Sequence, residues 1–198
     1  MKILIIGASG VIGKPLFESL KKEHEVFGAH RSSAEFPVDT MDTASVRRLL
    51  ERLPKLDAII NAAGEAVWKE FDLLTEADYY VGIKDKLMGQ VNLVHTAKDF
   101  LNPNGSITLT TGILADFPES GSAGLALVNG ALHSFIMAAA PRLKNNVRLN
   151  IVAPGAIKGT IEGEELFAGH APVAIDAVID VYKEALSGSK TGHVFKIY

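Results

Sequence analysis

The 198-residue chain contains no cysteine. This excludes a disulfide framework, a thiol nucleophile and a thiolate metal centre, and it suits the reducing conditions of the cytoplasm. A long apolar run is also missing. The N-terminal stretch Lys2-Ile3-Leu4-Ile5-Ile6 is cut at once by Gly7, so a soluble cytoplasmic protein without signal peptide or membrane segment is expected. No long basic run stands out against the net charge of −3, which argues against nucleic acid as a partner. The histidines, His24, His30, His95, His133, His170 and His193, show neither paired helical spacing nor a carboxylate partner of the zincin type, so no metal site is expected. No Gly-x-Ser-x-Gly occurs, and Ser187-Gly188-Ser189-Lys190 reads better as a turn before the last strand than as a serine–lysine hydrolase motif.

What the chain does have is regular alternation. Apolar strand candidates recur at 2–6, 24–29, 56–60, 105–110, 147–152 and 193–197, with a short one at 36–38. Segments of helical spacing lie between most of them, at 12–22, 43–53, 76–99, 122–144 and 173–187. Strands alternating with helices predict an α/β fold: one doubly wound parallel sheet of about seven strands, helices on both faces, in a single domain spanning 1–198.

The first strand drops into Gly7-Ala8-Ser9-Gly10-Val11-Ile12-Gly13 and continues as a helix. Glycines at this spacing permit a tight turn, bring the backbone close to a pyrophosphate and seat the helix against its strand, while the helix N-terminus offers free N–H groups to the phosphates. Ligands of such sheets bind beyond the carboxyl ends of the strands, which directs attention to the residues that follow each one. After the second strand comes His30-Arg31-Ser32-Ser33, with no acidic residue between 26 and 34 to meet a free ribose 2′-hydroxyl. Arg31, with Ser32, suits a 2′-phosphate and points to NADP(H) over NAD(H), although a solvated surface arginine is the plainer alternative. Asp39 and Thr40 could meet the adenine, and Asp42 or Thr43 could simply cap the next helix. Asn61-Ala62-Ala63-Gly64 brings small residues to the ribose, and the turn Ala153-Pro154-Gly155-Ala156-Ile157 could hold the nicotinamide carboxamide.

Gly7-x-x-Gly10-x-x-Gly13, Asp39-x-x-Asp42, Asn61-Ala62-Ala63-Gly64, Gly105-Ser106-Ile107 and Arg148-Leu149-Asn150-x-x-x-Pro154-Gly155, in this order and spacing, resemble the short-chain dehydrogenase/reductase superfamily over roughly residues 1–160. The resemblance implies a seven-stranded Rossmann sheet, an NAD(P)(H) cofactor, hydride transfer to or from a carbonyl or alcohol, and homodimers or homotetramers formed through helices 76–99 and 122–144. It also implies a cofactor contact set of Gly7, Ser9, Gly10, Val11, Ile12, Gly13, Arg31, Ser32, Asp39, Thr40, Asn61, Ala62, Ala63, Gly64, Pro154, Gly155 and Ile157.

The departures from the family pattern fall on its acid–base residues. Leu125 stands where the family has its proton-transferring tyrosine and Asn129 where it has the supporting lysine; between Asp99 and Leu143 there is no tyrosine or lysine at all. Gly112 occupies the serine position, which leaves Thr111 as the nearest hydroxyl, and counting from Gly64 places Lys86 at the position of the family's asparagine. A desolvated amine at Lys86 could act as acid or base or replace the charge missing at Asn129; within Lys84-Asp85-Lys86 it could equally be a surface residue. Two readings therefore stand: an NADP(H)-dependent oxidoreductase of a small molecule with an altered catalytic set built on Thr111 and Lys86, or a catalytically silent dinucleotide-binding sensor or structural partner. The segment 161–171, short and acidic, is expected to form the substrate loop.

Overall fold

The computed structural model describes residues 1–160 and 166–198. Six parallel strands, β1 (Lys2–Ile6), β2 (Glu25–Ala29), β3 (Leu56–Asn61), β4 (Leu101–Thr110), β5 (Arg148–Pro154) and β6 (Val194–Ile197), form one sheet in the order β2-β1-β3-β4-β5-β6. Six α-helices connect and cover them: α1 (Gly13–Leu20), α2 (Thr43–Glu51), α3 (Glu76–Gly82), α4 (Gly89–Ala97), α5 (Ala123–Ala139) and α6 (Ile175–Ser187). The chain steps outward from β1 in one direction to β2 and in the other to β3, so the order reverses between β1 and β3 and opens a crevice at their carboxyl ends.

The apolar pattern explains the two layers. Residues of β1 alternate: Leu4 and Ile6 join Val46, Leu49, Leu93, Leu132 and Ile136 under α2, α4 and α5, while Ile3 and Ile5 join Leu16, Leu20, Val178 and Tyr182 under α1 and α6. A strand covered on both faces must be apolar throughout, which is why Ile3-Leu4-Ile5-Ile6 reads as a continuous run. α1 begins immediately after the glycine turn, with Pro15 in its first turn where a missing N–H is harmless. Gly13 has no alternative in that seat, since a Cβ there would lie 2.0 Å from the Gly7 carbonyl oxygen.

Several boundaries differ from the sequence expectation. The seventh candidate strand, 36–38, forms only a single parallel bridge between His30 and Pro37. β4 starts at Leu101, earlier than the apolar run suggests: Leu101 pairs with Leu56, the chain then bulges through residues 102–105 with Asn104 at φ +64°, and the ladder resumes at Ser106 opposite Ala58. The long helix at 76–99 is two helices joined by a wider π-helical turn, Ile83–Met88. Asp42 caps α2, accepting from the Ala44 N–H at 2.8 Å. The run Ala123–Arg142, α5 with the 3-10 turn after it, has a mean hydropathy of 1.5 and is long and apolar enough, by length and composition alone, to cross a membrane. Here it lies on the sheet, with Val128, Leu132 and Ile136 fully buried.

Candidate cofactor and substrate site

Two adjoining clefts open at the carboxyl ends of the strands. The larger, about 540 Å³, runs over the glycine turn and the ends of β1, β2 and β3, and is lined by Gly7, Ser9, Gly10, Val11, Arg31, Ser32, Thr40 and Ala62-Ala63-Gly64. The smaller, about 300 Å³, begins at Val11 and Ile12 and continues past the ends of β4 and β5; Lys86, Thr111, Leu125, Asn129, Pro154, Gly155 and Ile157 all line it. Thus most residues singled out from the sequence converge on one continuous trough. Three do not reach it. Gly13 serves the helix seat. The Asn61 side chain, 1% exposed, brackets its own turn by donating to the Ala63 carbonyl at 3.1 Å and accepting from the Ala63 N–H at 3.4 Å. Asp39 lies beside the larger cleft, accepting from the Met41 N–H at 3.0 Å and standing 3.9 Å from Arg31 Nε.

The larger cleft fits a dinucleotide. Gly7 has φ +83°, and a Cβ there would stand 2.8–2.9 Å from the Ala62–Ala63 peptide, so only glycine lets the two turns meet so closely. Its charge is more mixed than the sequence indicates. Arg31 reaches across the opening to an ion pair with Asp85, a buried carboxylate on the π-helical turn that the sequence reading passed over, and Glu65 lines the same wall. That pair raises the Arg31 pKa above its ordinary value. An acidic group therefore does line the cleft beside Arg31, supplied by the segment after α3 rather than by β2; its only signal in the sequence was adjacency to Lys86.

The smaller cleft holds the unusual chemistry. Lys86 is partly buried and, among the described residues, has no ion-pair partner; desolvation pushes its pKa down from 10.5 to about 8, against a smaller upward pull from Asp85. Asn129, 2% exposed, has an Oδ1 with no hydrogen-bond partner among the described residues, a buried acceptor on the cleft wall. Thr111 is aimed by a clamp one residue earlier: buried Gln90 on α4 donates to the Thr110 carbonyl and accepts the Thr110 N–H, both at 3.0 Å. The Thr111 hydroxyl lies 2.9 Å from His133 Nε2. His133 follows Leu125 and Asn129 on one face of α5 at four-residue intervals. Desolvation lowers the His133 pKa, so the ring is neutral near pH 7.

Of the expected substrate loop, residues 161–165 lie outside the described residues. After them Phe167 and His170 exchange backbone hydrogen bonds at 2.8 and 2.9 Å, and Phe167 closes one side of the smaller cleft.

Comparison with known proteins places this architecture. The family model described as Enoyl-(Acyl carrier protein) reductase, a short-chain dehydrogenase/reductase model, matches residues 12–170, most of the chain. The chain belongs to the short-chain dehydrogenase/reductase superfamily. The crystal structure of the protein lin1944 from Listeria innocua is 37% identical, with a TM-score of 0.95 and full coverage of both chains. A small-chain dehydrogenase in complex with NADPH is 23% identical, with a TM-score of 0.88 over 100% of this chain and 96% of that one. Among curated proteins, the 3-ketodihydrosphingosine reductase of Bacteroides thetaiotaomicron is 30% identical over 103 residues, covering 46% of this chain but only 38% of the reductase. Between Asp99 and Leu143, a stretch that includes all of α5, the chain carries no tyrosine or lysine.

Proposed function

We propose that the protein is an NADP(H)-dependent oxidoreductase of a small carbonyl or alcohol, in which Lys86 and Thr111 take over the proton transfer that the missing tyrosine and lysine would perform. The observation that carries this reading is the convergence of Lys86, Thr111 and the unpartnered Asn129 on one cleft continuous with the glycine turn. Family membership and the NADPH complex of a structural relative support it. Glycine backbone and the start of α1 would hold the phosphates, Arg31 the 2′-phosphate, and the Pro154–Ile157 turn the carboxamide. A bound nicotinamide would supply or accept the hydride.

The remaining work falls to side chains of this chain. With a pKa of about 8, Lys86 is largely protonated at pH 7 and close enough to neutrality to give or regain a proton at the substrate oxygen. If His133 carries its hydrogen on Nε2, it donates to Thr111 Oγ and frees the threonine hydrogen to point at the same oxygen. The Asn129 acceptor is left for a hydroxyl of substrate or ribose. We further read the protein as cytoplasmic, in keeping with its lack of cysteine, and as a homodimer or homotetramer. Exposed Tyr80 and Val81 on α3, Met88 on the following turn, and Leu127 and Met137 on α5 give those helices apolar outer surfaces that suit a second copy.

Titration with NADPH and NADH, followed by NADPH consumption across an aldehyde and quinone panel, tests the assignment. Saturable NADPH binding with turnover that falls at least about tenfold in Lys86→Met or Thr111→Val is expected. NADH binding as tightly as NADPH would remove Arg31 from its role. NADPH binding with no consumption of any substrate would favour the silent sensor, a reading to which Leu125 on the cleft wall lends weight.

A further inference from the structure

Asp85 is 6% exposed, yet it brings a carboxylate into the wall of the nucleotide cleft. Its Oδ1 accepts from the Glu65 N–H at 3.2 Å, and its Oδ2 takes the Arg31 guanidinium. Among the described residues Arg31 is the one cation within ion-pair distance of it. The arginine side chain is 53% exposed, with the Asp39 carboxylate 3.9 Å from Nε and Glu65 on the same wall. Three carboxylates thus surround the single guanidinium offered to a 2′-phosphate. An arginine bonded to a carboxylate has fewer N–H donors left for phosphate, and a buried carboxylate stripped of its counter-ion is left uncompensated.

We propose that Asp85 sets cofactor selectivity by holding Arg31 in competition with the ligand: a 2′-phosphate must draw the guanidinium off Asp85, so the pair weakens binding of the phosphorylated dinucleotide and leaves the unphosphorylated one untouched. The inference rests on the reading of the larger cleft as a nicotinamide dinucleotide site. It makes Asp85 a selectivity residue that acts through Arg31, and it accounts for a buried charge at a position where the family pattern gave no reason to look for one.

Calorimetric titration of NADPH and NADH into the wild type, Asp85→Asn, Asp85→Ser, Arg31→Ala and the Arg31→Ala/Asp85→Asn double variant tests it. Asparagine and serine each keep an oxygen for the Glu65 N–H, and circular dichroism verifies that each variant is folded. Both Asp85 variants are expected to bind NADPH about five- to tenfold more tightly while NADH changes by less than about twofold, and the gain vanishes when Arg31 is alanine. Unchanged or weaker NADPH binding in both Asp85 variants overturns the proposal, as does equal tightening of both nucleotides or a gain that persists without Arg31. Those outcomes leave the dinucleotide reading standing. Failure of every variant to bind either nucleotide overturns that reading and the proposal together.

Discussion

Replacing Lys86 by methionine should stabilise the protein and remove a feature of its pH profile. The lysine keeps its ammonium in a cleft where desolvation drops its pKa from 10.5 to about 8. At about 1.4 kcal/mol for each pH unit, the folded state bears up to about 3 kcal/mol at neutral pH that the unfolded chain does not. The sign follows from the proton counts. Below pH 8 the lysine is charged in both states and the whole cost is present. Between pH 8 and 10.5 the folded state sheds its proton while the unfolded chain keeps it, so the cost is relieved as pH rises; above 10.5 nothing remains of it. Methionine has a similar length and no charge. Urea unfolding followed by circular dichroism should therefore show Lys86→Met more stable than wild type by up to about 3 kcal/mol at pH 7, with the difference shrinking steadily toward pH 10.5. Other titrating groups are common to both proteins and cancel in the difference. A variant no more stable at pH 7, or a gap that stays flat across this range, would show that the ammonium is well solvated, and with it would go the basis for Lys86 as a tuned acid. Stability gained with activity lost is the pattern expected of a group retained for function.

Tyr182 is fully buried and its hydroxyl stands 2.6 Å from Thr110 Oγ, which in turn donates to the Asn61 carbonyl at 2.6 Å. Burial pushes the phenol pKa up, so it stays neutral throughout, and Tyr182→Phe should cost about 1–2 kcal/mol in urea unfolding without altering nucleotide affinity; a cost under about 0.5 kcal/mol would refute that account of the chain of bonds. Light scattering should give the mass of a dimer or tetramer, and Leu127→Glu on the exposed side of α5 should reduce it to one chain; a monomeric wild type refutes the interface.

The parts of the molecule that were legible from the sequence are those where one local pattern has one physical outcome. A doubly covered strand must be apolar, so β1 and β3 stand out, and a glycine-spaced turn between strand and helix forces the crossing of Gly7 over the Ala62–Ala63 peptide. The start of β4 was hidden because Asn102, Pro103 and Asn104 carry loop chemistry and bulge out of the ladder, which leaves Leu101, paired with Leu56, cut off from the apolar run that resumes at Ser106. The site's long-range pairs were hidden for a different reason. Arg31 and Asp85 are 54 residues apart, and Thr111 and His133 are 22 apart on a strand end and a helix. Neither pair leaves a mark in local spacing, and both arise only when the sheet brings its loops together.

The wide turn Ile83–Met88 accommodates change as well as geometry. A π-helical turn admits an extra residue into a helix whose ends stay fixed, and here both ends are fixed independently: Thr75 and Asp78 form a capping box at the start of α3, and Gln90 is clamped to Thr110 at the start of α4. Within that span, neighbouring side chains part company, Asp85 to the larger cleft and Lys86 to the smaller. Sliding the sequence by one residue there, Lys84 to the place of Asp85 and Asp85 to that of Lys86, would exchange which charge faces which cleft. The placement of both charges is thus set one helix away from α5, which carries neither a tyrosine nor a lysine.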